Sequence, residues 1–438
     1  MLRLDPQPWM DSPEASRLIA ALSRNGADVR FVGGCVRDAL IGRAVSDVDV
    51  ATPDPPETVM RLLEAAAIRA VPTGLAHGTV TAVVEGHPYE VTTLRRDLET
   101  FGRHARVAFT DDWQADAARR DFTMNAMSCR PDGLLFDPFG GAADLFAGRV
   151  RFVGDARGRI AEDILRLLRF FRFFAWYGTP PVDAEGLAAC REAAHLLPTL
   201  SAERVRRELL RLLAAPDPLP ALRLMVETGV LREVLPEARG LERLAALVAL
   251  ERVTGEADAV RRLAAFCVDL CGGVRARPNP GGPDAIDAID AMARRLRLSN
   301  AERKRIVAMS EAADREEVGR EDPGREELGD DLPAMRRALH RLGVQAYRDR
   351  AFLAAAAAPD RDLPVFWRRL AAAADWTPAR LPVGGRDLAA LGISRGPEVG
   401  RALAALEAWW VAEDFRPDRA ACIERLRAMG FPAGAVRG

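Results

Sequence analysis

Near residue 155 the 438-residue chain changes character, from short stretches of alternating polar and apolar residues broken by glycine to long runs rich in Ala, Leu and Arg. That change restricts the fold to an α+β N-terminal part followed by an all-α remainder. Length adds a second restriction: single cores stop growing at roughly 250–300 residues, so the chain divides into at least two domains. Within the first part, Ser12 before Pro13 marks a helix start, 29–32 reads as a strand running into Gly33-Gly34, and 35–41 as a short helix stopped by Gly42. Residues 47–51 alternate as a strand, Pro55 opens another helix, and 79–84 with 89–94 predict a hairpin across 85–88. These strands are not regularly separated by long helices, which predicts a small mixed sheet rather than a doubly wound parallel one. Later breaks fall at 214–220, at the Gly- and Pro-rich 272–283, and in the acidic stretch 311–331, which reads as a charged helix pair or a mobile loop.

The longest apolar runs, such as 352–358, fall far short of the ~20 residues that cross a bilayer. Residues 1–10 carry charges and two prolines and lack the apolar core of a signal peptide, so a cytoplasmic protein without a membrane partner is expected. Six scattered cysteines form neither a disulfide framework nor a pair of zinc knuckles. Cys267 and Cys271, four apart in an apolar stretch, read as a packed helix face. The formal charge of −1 averages over acidic and basic blocks, and nearly all the basic charge is arginine, Lys304 being the only lysine. Arginine at three- and four-residue spacing, as in 204–211 and 293–305, is either an RNA-backbone surface or a solvated helix face.

The chemistry-bearing residues begin at Gly33-Gly34. A strand running into a Gly-Gly turn and a helix start lets backbone amides approach a phosphate, and Arg37 either adds a bidentate donor or pairs with Asp38. Asp47 and Asp49 are two apart on an expected strand, so both carboxylates face one way and repel unless a cation neutralises them. Such a pair can hold two hard cations that serve the attacking hydroxyl and the leaving pyrophosphate. Glu90 on the neighbouring expected strand is the candidate third carboxylate, or else a solvated strand residue. Arg120, in Arg119-Arg120-Asp121-Phe122-Thr123-Met124-Asn125-Ala126, can reach a triphosphate, or can sit in a surface ion pair. In Glu162-Asp163-Ile164-Leu165-Arg166-Leu167-Leu168-Arg169, an expected helix places Asp163 and Arg166 on one face. A carboxylate accepts from the exocyclic amine of C or A and a guanidinium donates to the adjoining ring acceptors, so this pair can select CTP and ATP without a template. The plain alternative is an ordinary helix salt bridge. Arg172 lies half a turn from Asp163, which suits a phosphate contact or a structural role.

Together these motifs resemble the class II tRNA nucleotidyltransferase and poly(A) polymerase family, within the polymerase-β-type nucleotidyltransferases. The resemblance runs through 33–49, 119–126, 137–145, 162–169 and 201–209, in order. It implies metal binding at Asp47 and Asp49, with two Mg²⁺ ions expected. It also implies triphosphate and ribose contacts at Gly34, Arg37 and Arg120, base reading at Asp163 and Arg166, and further nucleotide contacts at Arg169 and Arg172. The implied architecture is a catalytic head with a five-stranded sheet over 1–153, a helical neck over 154–271 that selects the nucleotide and binds RNA, and a helical body and tail over 272–438 that grips tRNA. No obligate protein partner is evident.

The implied activity is template-independent addition of CCA to tRNA from CTP and ATP. Poly(A) synthesis, CC-only or A-only addition, and a catalytically disabled RNA-binding protein are the alternatives. Residues 74–80 lack the Arg-Arg-Phe run of bacterial poly(A) polymerases, and His340 is followed by Arg341, so no His-Asp phosphohydrolase signature is present there. One departure stands out: relatives often carry an acidic residue before Gly-Arg-His in the loop tied to switching from C to A, and Phe101 stands there in this chain.

Overall fold

The structure is a computed structural model that describes residues 2–101, 104–238, 240–268, 285–318, 328–357, 363–393 and 397–430. Cys271, the break at 272–283 and the centre of the acidic stretch, 319–327, lie outside the described residues, as do Gly102 and Arg103. The chain forms two compact units, Met1–Ala238 with Arg295–Arg297, and Arg239–Arg294 with Leu298–Gly438.

The first unit contains a seven-stranded mixed sheet ordered β3-β4-β5-β2-β1-β8-β9. Its strands are β1 (Arg30–Val32), β2 (Asp49–Thr52), β3 (Arg69–Gly74), β4 (Thr79–Val84), β5 (His87–Thr93), β8 (Ser128–Cys129) and β9 (Leu135–Phe136). A separate hairpin pairs β6 (Arg95–Phe101) with β7 (His104–Phe109). Only β2 and β5 run parallel.

The expected hairpin forms with a tighter turn: Val84 pairs with His87, and Glu85 and Gly86 occupy the two positive-φ positions at 51° and 89°. Strand β3 was not legible because it is an edge without a buried side chain and carries Pro72. Alternation along β4 and β5 buries Val80, Ala82, Val84, Tyr89 and Val91, and helices α1 (Pro13–Leu22) and α3 (Pro56–Ala65) pack against β4. Ser12 starts α1 as expected, its hydroxyl accepting from Ala15 N at 3.1 Å. The other parity, with Asp49, Glu90, Thr92 and Thr79 at paired positions, is left on the opposite face.

Helix α2 (Gly34–Leu40) follows β1, α4 (Trp113–Ala118) follows the β6-β7 hairpin, and α5 (Gly141–Phe146) follows β9. The 137–145 motif is scaffolding. Asp137 accepts from Gly141 N at 2.7 Å and Ala142 N at 2.9 Å, and Asp144 accepts from Thr123 Oγ1 at 2.7 Å and Arg151 Nε at 2.8 Å. A Cβ on Gly141 would stand 2.1 Å from the Thr123 carbonyl oxygen. Gly141→Ala is therefore expected to destabilise the protein by about 2–3 kcal/mol, read as a lower urea midpoint at unchanged slope.

After α5 the described residues of this unit are helical: α6 (Ala156–Glu162), α7 (Leu165–Tyr177), α8 (Ala184–Ala193), α9 (Ala202–Leu213), α10 (Leu219–Glu227) and α11 (Val230–Val234). The unit spans the change of pattern near residue 155 because Phe122 and Phe152 share a core with Phe170 and Phe173 of α7, with ring centroids 4.9–6.4 Å apart.

All regular elements among the described residues of the second unit are helices. Arg261 and Arg262 are buried there against Glu251, with Arg262 Nε 2.5 Å from Oε2, and Arg305 Nε lies 2.7 Å from the buried Asp349. Part of the arginine content is thus internal ion pairing rather than a solvated face. No helix among the described residues is long and apolar enough to cross a membrane.

Candidate active site

The open face of the sheet and the N-terminal end of α7 enclose a cleft of about 520 Å³, within the usual range for a ligand site. At its floor is Asp49, the first residue of β2, paired in parallel register with Glu90 of β5. The strand does not reach back to Asp47, so the period-two argument that placed both aspartates on it is corrected. Asp47 is exposed in the preceding loop and accepts from Ser46 Oγ at 2.9 Å. Its charge still reaches Asp49. Burial pushes the Asp49 carboxyl up to about 6, Glu90 and Asp47 push the same way, and Arg120 opposes them. A carboxylate crowded by like charges gains most from a bound cation. Among the described residues no three His, Cys, Asp or Glu side chains converge on one metal-sized point.

Gly33 and Gly34 line the cleft beside Asp49. A Cβ on Gly33 would stand 3.0 Å from Arg120 Nη1, so the glycine leaves that guanidinium its place. Arg120 is held by Asp116 at 3.3 Å and donates to the Asn125 carbonyl at 3.3 Å. Asp116 sits below the usual carboxylate range: burial alone would raise it, but the charges of Arg119 and Arg120 outweigh that. Arg37 does pair with Asp38, through Nε at 2.9 Å and Nη2 at 2.8 Å, and its Nη1 donates to Asn125 Oδ1 at 2.7 Å. Its guanidinium also lies over Tyr177, 4.3 Å from the ring centroid, so this arginine orients its neighbours as well as lining the cleft.

Asp121 is a residue the sequence reading passed over. Buried at the edge of the cleft, it accepts from Phe122 N, Asn125 Nδ2 and Arg169 Nε at 2.9, 2.9 and 2.7 Å. Burial alone would raise its carboxyl, yet Arg169 and these hydrogen bonds hold it low. It ties Arg169, which lines the cleft, to Asn125 and so to Arg37.

At the other wall the expected continuous helix is broken. Asp163 has extended backbone (φ −152°, ψ 107°) between α6 and α7, and Arg166 N closes the turn onto the Asp163 carbonyl at 2.9 Å. The i,i+3 helix-face argument therefore does not apply, but both side chains line the cleft. They are held by different partners. Asp163 accepts from Arg204 Nη2 at 2.6 Å and Leu165 N at 3.2 Å. Arg166 pairs with Glu162 and donates to the carbonyls of Arg159 at 3.0 Å and Arg119 at 3.3 Å. Arg204, at the start of α9, was the other site residue missed: it stood in the 201–209 motif, but nothing in its spacing shows that it reaches across 41 residues to Asp163.

Arg172 is placed apart from the other expected nucleotide contacts. It is not among the residues lining the cleft; its Nε donates to buried Glu208 of α9 at 2.6 Å and its guanidinium covers the Phe173 ring at 4.3 Å. In this arrangement it braces α7 against α9.

Residues 29–151 match the Poly A polymerase head domain, and 181–241 match the probable RNA and SrmB- binding site of polymerase A. The chain is 44% identical over 216 residues to the mitochondrial CCA tRNA nucleotidyltransferase 1 of Danio rerio, covering 49% of this chain and 50% of that protein. It is 39% identical over 257 residues to the CCA-adding enzyme of Geobacillus stearothermophilus, covering 58% and 62%. The chain thus spans about half the length of the curated relatives it matches. Its fold superposes on the crystal structure of the Bacillus stearothermophilus CCA-adding enzyme in complex with CTP with a TM-score of 0.71 and 30% identity, over 95% of this chain and 99% of that one. With the head and RNA-binding domains in sequence, and the cleft built on that fold, the chain belongs to the family of CCA-adding tRNA nucleotidyltransferases and poly(A) polymerases.

Proposed function

We propose that the chain adds CCA to the 3′ end of tRNA from CTP and ATP, without a template, by nucleotidyl transfer with two Mg²⁺ ions. The observation that carries this reading is that one cleft is lined by the carboxylates of Asp49 and Glu90, by Gly33, Gly34 and Arg120, and by Asp163 with Arg166. Asp47 and Asp49 would hold the metal, and Glu90, paired with Asp49 across the sheet, stands as the candidate third carboxylate; when bound, the metal would supply an activated hydroxyl and charge for the leaving pyrophosphate. The like charges of Glu90 and Asp47 crowd the Asp49 carboxylate, and a cation placed there would relieve that repulsion.

Arg120 faces the triphosphate and Arg37 keeps Asn125 oriented beside it. Asp163 and Arg166 read the amine and ring acceptors of C and A, and a base presenting a carbonyl there leaves groups unpaired at roughly 1–3 kcal/mol per contact. In this division the head at 1–153 performs the transfer, the neck at 154–271 selects, and 272–438 grips tRNA. We place the protein in the cytoplasm, where tRNA, CTP and ATP meet.

Incubation with tRNA lacking CCA decides the matter. CTP alone is expected to add two C and stop, and ATP then adds one A. Runs of A without C would overturn the reading in favour of a poly(A) polymerase, and arrest at CC would identify a split-activity relative, the outcome to which Phe101 in the 100–105 segment bears most directly. Arg204→Ala is expected to lower kcat/KM for both nucleotides about tenfold, by freeing Asp163, with partial recovery in Arg204→Lys. A steady-state comparison checks it.

A further inference from the structure

The sheet order sorts the cleft into two sides. Gly33, Gly34 and Arg120 lie with β1, and beyond Asp49, on β5 and β4, come Glu90, Thr92 and Thr79, with Arg95 just after β5. In phosphoryl transfer the attacking and leaving oxygens lie roughly in line. If pyrophosphate departs on the β1 side, the nucleotide that carries the attacking hydroxyl enters on the β5-β4 side.

At that side stands a large apolar side chain that the folded chain leaves exposed. Phe109 is 42% exposed, whereas Phe122, Phe152, Phe170 and Phe173 of the same unit are buried. It pairs across the β6-β7 hairpin with Arg95, which lines the cleft and donates through Nη1 to the His77 carbonyl. The ring rests against Gly78 (φ 81°), next to the cleft-lining Thr79: a Cβ on Gly78 would stand 2.9 Å from Phe109 Cε1. Glycine there lets the aromatic ring approach the strand end, while Phe109 stays partly exposed. An exposed ring beside a cleft-lining guanidinium matches the two needs of single-stranded RNA, a stacking plane for a base and positive charge for its phosphate.

We infer that Phe109 is the stacking platform for the 3′-terminal base of the RNA acceptor, with Arg95 facing that nucleotide's phosphate. This rests on the proposed nucleotidyl transfer to RNA. Stacking is indifferent to base identity, so the platform serves successive terminal nucleotides as the end grows.

The test uses the full chain and tRNA lacking CCA, alongside the same RNA with an abasic 3′-terminal nucleotide. Phe109→Leu, which keeps apolar volume without a π face, and Phe109→Ala are expected to raise the KM for normal RNA about tenfold, leaving the KM for CTP unchanged. Phe109→Trp should retain wild-type KM. On the abasic RNA, wild type and Phe109→Leu should converge, which a purely structural role would not produce. If wild type extends the RNA and Phe109→Leu matches it on normal RNA, or is equally impaired on both RNAs, the platform is wrong while the nucleotidyl-transfer reading stands. Failure of wild type to extend RNA would sink both.

Discussion

Asp49→Asn is expected to lower nucleotide incorporation at least about 10³-fold, since on the proposed mechanism it removes a ligand to the metal and with it several kcal/mol of transition-state stabilisation. The fold should survive, and the pH dependence of stability shows why. The carboxyl of Asp49 is pushed up to about 6 by burial and then by Glu90 and Asp47, from an ordinary 3.8. For a raised carboxyl, the contribution to stability is fully present below about pH 3.8 and is lost as pH rises through about 6. Metal-free wild type at pH 7.5 should therefore unfold at a lower temperature than Asp49→Asn, with the difference closing below pH 4. Added Mg²⁺ at pH 7.5 should raise the Tm of wild type more than that of the variant. Equal incorporation by the two proteins, or a Tm difference of the opposite sign, would remove Asp49 from the metal site.

The second large effect is expected at the proposed base reader. Asp163→Ala is expected to lower kcat/KM for CTP and ATP by about 10²-fold, because the amine of each base loses a charged acceptor and Arg204 is left without its carboxylate. Asp163→Asn replaces an acceptor with a donor at nearly constant volume, so discrimination against UTP, which presents a carbonyl where CTP has an amine, should narrow by a similar factor. Competition between CTP and UTP on one RNA reads this directly. Unchanged discrimination would assign Asp163 to holding Arg204 alone.

Residues that report on local structure were legible in the chain. Ser12-Pro13, the Gly-Gly turn after β1 and the 79–94 hairpin are each specified by neighbours a few positions away, and each forms. So are the candidate site residues as a set: Gly34, Arg37, Asp49, Glu90, Arg120, Asp163, Arg166 and Arg169 all line one cleft. Misreadings arose where a regular element was extended past its end. Asp47 precedes β2, and Asp163 breaks the helix that was expected to carry it.

Partnership is different in kind. Arg172 and Glu208 are 36 residues apart, Arg204 and Asp163 41, and Arg169 and Asp121 48. Spacing along a chain says nothing about such pairs, because they meet only when α7 packs on α9 and on the 121–125 turn. The sequence by itself determined which chemistry is present: two aspartates, a glycine turn and a carboxylate–guanidinium pair, in the order a nucleotidyltransferase needs. Tertiary packing alone decided which arginines line the cleft and which lies outside it, since a guanidinium's surroundings depend on where its element packs and not on its spacing along the chain.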